Sequence, residues 1–243
     1  MSSLYLVDGL SDRAAGDLVE LEGREAHHAT VNRVRLGDDV LLGDGRGSIA
    51  DATVEVVTGG RVAFRIGAVR SEQRPAPELW LAQALAKGDR DELAVQAATE
   101  VGVSGVIPVQ AARSVSRWSG PKLDKGVARW ESIVREASKQ AIRSWVPDVD
   151  RPVTPSGLVD PRDRVLVLDP RASVRLADAV TATPEGTRRI VLVVGPEGGF
   201  GSDEIDGMAA AGAIPVVLGD TVLRTSTAGP AAIAVANIVL GRW

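Results

Sequence analysis

Ile190-Val191-Leu192-Val193-Val194-Gly195-Pro196-Glu197-Gly198-Gly199-Phe200 decides how the chain is read, together with its echo Val216-Val217-Leu218-Gly219-Asp220-Thr221-Val222-Leu223-Arg224-Thr225. Each is an apolar, largely β-branched run that stops at a glycine. That is the pattern of a strand buried on both faces and ending in a backbone turn. Ligands of open α/β sheets sit outside the carboxyl ends of the strands, so both turns are candidate binding loops.

A glycine-rich turn between strand and helix first suggests a phosphate cradle, which needs converging N–H donors and often a lysine. Here Pro196 removes one donor, Glu197 puts a carboxylate in the loop, and neither G-x-G-x-x-G nor G-x-x-x-x-G-K-[ST] occurs in it. A ligand carrying positive charge matches that carboxylate better. A packing turn without ligand is the plain alternative, and two such turns on successive strands weigh against it.

Outward from the two turns, strand and helix alternate. Leu79–Leu85, Gly105–Val109, Val165–Leu168 and Pro215–Leu218 read as strands. Helices are expected over Asp91–Val101, Lys122–Arg143, Ser202–Ala211 and Thr227–Leu240. The third has Ser202 as its cap, Asp203 and Glu204 in its first turn and Gly212 as its stop. In the long helix Trp130, Val134, Ala137 and Ala141 share an apolar stripe that assigns Trp130 to the core. The alternation implies an α/β domain with a mostly parallel sheet. Before it, Arg70-Ser71-Glu72-Gln73-Arg74-Pro75-Ala76-Pro77 is a polar, proline-bearing linker, which sets two domains, residues 1–72 and 73–243. The first holds short strands at Leu4–Val7, Leu18–Leu21, Val40–Leu42, Ile49–Val57 and Arg61–Val69, with a hairpin signal at Gly43-Asp44-Gly45-Arg46-Gly47. Such a run suggests a small β-barrel.

The chain contains no cysteine, which removes thiolate metal sites, disulfides and cysteine nucleophiles. His27 and His28, on the one expected helix of the first domain, point different ways, so no metal site is expected. The N-terminal Met1-Ser2-Ser3-Leu4-Tyr5 lacks the pattern of a secretory signal, and Ala228–Leu240 is too short to cross a bilayer; a cytoplasmic location is the expectation. The net charge of −4 is uneven: residues 113–143 hold eight basic and three acidic side chains. This patch reads either as a docking surface for a polyanion or as a solvated helix laced with pairs such as Glu131–Arg135.

Several motifs in order then resemble one family. They are Gly195-Pro196-Glu197-Gly198-Gly199-Phe200 with Glu204-Ile205, Leu218-Gly219 with Val222-Leu223-Arg224-Thr225, Gln83–Arg90, Gln96–Val103, Arg113-Ser114, Arg129-Trp130, Glu136-Ala137, and Arg33 with Gly37-Asp38. Across nearly the whole chain the pattern resembles the knotted SPOUT methyltransferases. More narrowly it resembles the ribosomal RNA small subunit methyltransferase E family, which methylates N3 of a uridine in 16S rRNA. The resemblance implies a PUA-like β-barrel for RNA, a C-terminal trefoil-knotted α/β domain, a homodimer, S-adenosylmethionine as methyl donor and 16S rRNA or the small ribosomal subunit as partner. Periodicity alone gives no sign of a knot. The family usually has glutamate where this chain has Ser226, and its N-terminus is often basic and aromatic where this one is Ser2-Ser3-Leu4-Tyr5-Leu6.

Carried onto this chain, the cofactor is expected against Val194, Gly195, Pro196, Glu197, Gly198, Leu218, Gly219, Leu223 and Ala228. Arg224 is the expected catalytic cation for charge that spreads over the uracil carbonyls when N3 loses its proton; tying the loop to Glu197 or Asp220 is its structural alternative. Glu197 is either the base or an organiser of the cofactor loop. Arg33, Lys87, Arg90, Arg113, Arg117 and Arg143 are expected RNA contacts, with Trp118 and Trp145 near them. Two other readings stay open: a non-catalytic knotted RNA-binding assembly factor, and a SPOUT enzyme that methylates a ribose 2′-hydroxyl.

Overall fold

The computed structural model describes residues 3–21, 25–26, 34–58 and 61–243. By packing it divides into two units. One holds the chain up to Arg74 together with Ser138–Val146; the other holds Pro75–Ala137 and Pro147–Trp243. His27, His28, Arg33 and the helix expected around them lie outside the described residues.

The first unit contains strands β1 (Leu4–Leu6), β2 (Leu18–Leu21), β3 (Asp39–Gly43), β4 (Ser48–Thr58) and β5 (Arg61–Ser71), in the sheet order β1-β3-β4-β5-β2. β1 and β3 are parallel and the other ladders antiparallel. Alternation along the strands turns Leu42, Val54, Phe64 and Ile66 inward onto Tyr5 and Leu10. The register shifts between β4 and β5 at Ala50/Ala52 and Val54/Val56, and such irregularities curl a sheet round its core. The small β domain expected from the short strands is therefore present. At the β3–β4 turn Asp44 Oδ1 accepts from the amides of Arg46 (2.7 Å) and Ser48 (2.9 Å), while Gly45 and Gly47 take φ of 69° and 104°. On the outside Arg61, Arg65 and Arg70 pair with Glu20, Glu55 and Asp51.

Residues 138–146 complete this unit. The long helix stops at Gln140 rather than Arg143, through a hydrogen-bonded C-terminal turn. The Arg143 amide donates to Ser138 O (2.9 Å) and the Ile142 amide to Lys139 O (3.3 Å), with Ile142 left-handed at φ 54°. Beyond the turn, Trp145 donates Nε1–H to Glu72 O at 2.7 Å and lies beneath the Arg74 guanidinium, 4.6 Å from its ring centre. A Cβ on Gly47 would fall 2.7 Å from the Trp145 ring, so only glycine admits it.

The second unit is one all-parallel sheet of β6 (Glu78–Ala84), β7 (Gly105–Val109), β8 (Asp148–Val149), β9 (Asp163–Leu168), β10 (Arg189–Val194) and β11 (Ile214–Val216), ordered β11-β9-β10-β6-β7-β8. The apolar runs read as doubly buried strands occupy its middle: Ile190–Val194 and Leu79–Ala84 are buried throughout. The helices are α1 (Arg90–Glu100), α2 (Pro121–Gln140), α3 (Leu176–Thr181), α4 (Ser202–Ala210) and α5 (Thr225–Val239). α5 packs on α1, α3, β6 and β10, while Phe200, Ile205 and Met208 join the core on the face of Trp80, Val165 and Val193. Trp130 is buried as its stripe implied, edge-on to Trp118 at 5.3 Å and 76°.

Other details also differ from the sequence reading. β11 ends at Val216, because Val217 leaves the sheet to bond Val174 O and Leu176 N (2.8 and 2.9 Å). α4 takes Gly201 as its N-cap, with Ser202 already helical. α3, only six residues long, carries too little periodicity to be found.

Candidate functional site

Because β9, β10 and β11 are parallel neighbours, Leu168, Val194 and Val216 all end at the same edge of the sheet. The loops leaving them, with the start of α5, enclose a cavity of about 680 Å³. That volume is within the roughly 300–1,000 Å³ range of small-molecule sites. Val194, Gly195, Pro196, Glu197, Gly198, Leu218, Gly219, Leu223 and Ala228 all line it, as do Arg224 and Thr225.

Backbone geometry shapes the loop after β10. The Gly199 amide donates to Pro196 O at 2.8 Å, closing a tight turn with Gly199 at φ 65°. A Cβ on Gly195 would sit 3.2 Å from Phe200 Cδ2, so the glycine lets Phe200 fold back over the strand end. Glu204 fastens both sides: Oε2 accepts from the Gly201 amide and Oε1 from the Ala112 amide, each at 2.8 Å. Gly198 O accepts from Arg113 Nη1 at 2.9 Å.

Glu197 Oε1 accepts from the Lys87 amide (3.1 Å) and from Arg90 Nη1 (3.0 Å). Partial burial opposes its ionisation, but the amides of Glu197 and Lys87 and the Arg90 guanidinium outweigh it and hold the carboxyl below the usual glutamate range. A general base working at neutral pH needs a shift in the other direction, so this environment suits an organiser of the loop.

Arg224, the N-cap residue of α5, is exposed, and its carbonyl accepts the Thr227 and Ala228 amides at 2.9 Å each. Among the described residues no ion pair joins it to Glu197 or Asp220, which leaves its guanidinium available to a ligand. The backbone of residues 218–223 likewise forms no hydrogen bond within the described protein. Unpaired backbone groups beside an apolar wall are what a heterocycle with edge donors and acceptors requires.

The expected RNA contacts separate. Arg90 and Arg113 line the cavity and Lys87 joins its rim through the Glu197 bond. Arg117 is exposed, with Nη2 3.4 Å from Ala112 O. Arg143 belongs to the first unit, half-buried, its pKa pushed down to about 10 by burial and by the charge of Arg74. Trp118 and Trp145 are engaged in packing.

Sequence reasoning misses Asp169 and Arg171, which line the cavity from the end of β9. Asp169 takes the Arg171 guanidinium through both oxygens at 3.0 Å and the Arg171 amide at 2.9 Å; these bonds hold its carboxyl below the usual range. The signal was the one used for the other loops, an apolar run (Val165–Leu168) that stops at a polar turn.

Residues 72–237 match the family described as RNA methyltransferase domain, and residues 21–67 match RNA methyltransferase PUA domain. The ribosomal RNA small subunit methyltransferase E of Mycobacterium bovis is 39% identical over 252 aligned positions, covering 100% of this chain and 94% of that protein. The Bacillus subtilis protein of the same name is 30% identical, over 86% of this chain and 85% of its own. Among solved structures, a ribosomal RNA small subunit methyltransferase E from Neisseria gonorrhoeae bound to S-adenosyl methionine superimposes with a TM-score of 0.86 at 27% identity, covering 98% of both chains. A Legionella pneumophila chain solved with the same cofactor gives 0.84 at 29% identity, over 98% of this chain and 96% of the other.

Proposed function

The chain belongs to the RNA methyltransferase family, and from that premise we propose that it transfers a methyl group from S-adenosylmethionine to N3 of a uridine in small-subunit ribosomal RNA. The observation that carries this reading is the unpaired Arg224 guanidinium beside a cavity with an ionised glutamate at its rim and an unpaired backbone edge.

The residues present fit that cofactor. Leu218, Leu223 and Phe200 supply apolar wall, and the backbone of residues 218–223 supplies donors and acceptors for an adenine edge. Glu197 and Asp169 bring ionised carboxylate oxygens to the lining for a sulfonium, each held in place by an arginine, Arg90 and Arg171. When bound, the cofactor supplies an electrophilic methyl group, and the rest is positioning and charge management by the chain. Arg224 stabilises negative charge on the uracil carbonyls as N3 gives up its proton. Glu197 holds the loop against Arg90 and Lys87. Arg113, bonded to Gly198 O, and Arg117 on the same segment draw RNA phosphates toward the cavity mouth.

A PUA-type first domain for RNA, the domain boundary at 72/73, a trefoil knot, a homodimer and a cytoplasmic ribosomal substrate belong to the same proposal on family grounds. No helix among the described residues is long and apolar enough to cross a membrane.

The test is incubation of the purified chain with the cofactor and unmodified small-subunit RNA or subunits, followed by mass analysis of the nucleosides. 3-Methyluridine is the expected product. A methylated ribose would overturn the N3 assignment, and RNA bound without any methyl transfer would point to an assembly factor.

A further inference from the structure

We propose that Gln83 is a positioning residue that sets Arg224 through the hydroxyl of Thr225. This rests on the reading of Arg224 as the cation that serves methyl transfer. Gln83 is the one polar side chain within the buried run Leu79–Ala84 of β6, and it is fully buried. It does not line the cavity. Its Nε2 donates to Thr225 Oγ1 at 2.8 Å, and Thr225 Oγ1 donates to Gly195 O at 2.7 Å.

The partners dictate the direction of this chain of bonds. Gly195 O can only accept, so the single hydroxyl proton of Thr225 goes to it, and the amide of Gln83 must supply the proton that Thr225 receives. The second Nε2 proton goes to Ala84 O at 3.2 Å. Gln83 Oε1 is left buried without a partner among the described residues. An apolar side chain would avoid that cost, so the glutamine's contribution lies in its donor.

The relay joins three elements. Gly195 begins the cofactor loop, Thr225 begins α5, and Arg224 is bonded to Thr225 through the main chain. Gly229 allows α5 to come this close: a Cβ there would lie 2.9 Å from Leu81 Cδ1 and 3.6 Å from Gln83 Oε1. With one hydroxyl held from both sides, the separation between the cofactor loop and Arg224 is fixed from inside the sheet.

The test is amide hydrogen exchange on the full chain, read at Thr227 and Ala228, whose N–H groups donate to the Arg224 carbonyl. Gln83→Met and Thr225→Val are expected to speed exchange there about tenfold, whereas Thr225→Ser, which keeps the hydroxyl, stays within about threefold. Exchange in α1 should be unchanged in all three. In turnover, Gln83→Met should lower kcat about tenfold with KM for RNA held, and cost nothing further in an Arg224→Ala background, as expected of residues that act as a unit. Unchanged exchange in both Gln83→Met and Thr225→Val, or the same fold-loss of kcat with and without Arg224, overturns the proposal. Exchange that responds as expected in a chain that transfers no methyl group leaves the relay standing and removes the proposed reaction.

Discussion

The Glu197 carboxylate lies 3.0 Å from the Arg90 guanidinium and also takes the Lys87 amide, which binds the loop after β10 to the segment that opens α1. The ordered, ionised carboxylate is thus part of the loop's architecture. Its pKa is lowered in the folded chain, so between that lowered value and the ordinary glutamate value the unfolded chain binds more protons. The stability it lends is present at neutral pH and is lost as pH falls through that window. Glu197→Gln should therefore flatten the acid limb of a stability–pH curve, and at pH 7 it should weaken cofactor binding about tenfold, the scale of a charge-assisted hydrogen bond. Denaturant melts across pH, with calorimetry at pH 7, check both.

Arg224→Ala tests the proposed role of Arg224 as the catalytic cation. Among the described residues no group pairs with its guanidinium, so removal should leave the fold and the cofactor affinity intact while kcat falls about 10²–10³-fold, the range for losing one charge-stabilising donor. Single-turnover kinetics beside a cofactor titration separate the two. Equal loss of both would make Arg224 a cofactor contact instead.

The glycines of the loop should not behave alike. A Cβ at Gly195 comes within 3.2–3.3 Å of Phe200, and Gly195→Ala should cost roughly 1–3 kcal/mol by overpacking. At Gly198 a Cβ would meet Arg113 at an ordinary 3.6 Å, so Gly198→Val should keep the fold and lose cofactor binding. Thermal melts with and without cofactor distinguish the two.

How much of this site was legible in the sequence depended on the kind of signal. Strands such as Ile190–Val194 announce themselves because burial on both faces leaves an unbroken apolar run, and the glycine that stops it marks the loop. The same rule, applied to Val165–Leu168, would have reached Asp169 and Arg171. Other features had no local signal. Nothing in the helical stripe of α2 shows that residues 138–146 pack with the first unit, since that depends on Trp145 finding Glu72, 73 positions upstream, and Gly47 before it. Charge counting gathered Arg113, Arg117 and Arg143 into one patch, whereas the fold assigns Arg143 to the other unit. The Gln83–Thr225 bond spans 142 positions and only tertiary structure reveals it.

Asp163 is a stability anchor away from the site. Its side chain is fully buried between Arg188 (2.8 Å) and Arg189 (2.6 Å), and Arg189 in turn stacks over Trp80 at 4.5 Å. Burial alone would raise its pKa, but the two guanidinium groups prevail and lower it. Asp163→Asn should cost about 3 kcal/mol, since it removes the buried carboxylate that Arg189 and Arg188 share and leaves them only the looser Asp150 (3.9 Å) and Asp160 (3.3 Å). The stability Asp163 lends is lost as pH drops below the ordinary aspartate range, so the variant should also be less sensitive to acid than the parent. Urea melts at pH 7 and pH 3 check both.

Ile142 holds φ 54° at the end of α2, a conformation that opposes a β-branched side chain. Ile142→Gly should stabilise the chain by roughly 0.5–1 kcal/mol, relief of the left-handed penalty being partly offset by the freedom glycine gains when unfolded. Chemical denaturation measures it.

The most direct measurement is a calorimetric titration of S-adenosylmethionine into the full chain, paired with diffraction from crystals grown with it. One saturable site per chain, with density among Gly195, Leu218 and Leu223 and no affinity in Gly198→Val, is the expected result. Absence of binding heat, or a phosphate group held in that cavity in place of the nucleoside, would contradict it.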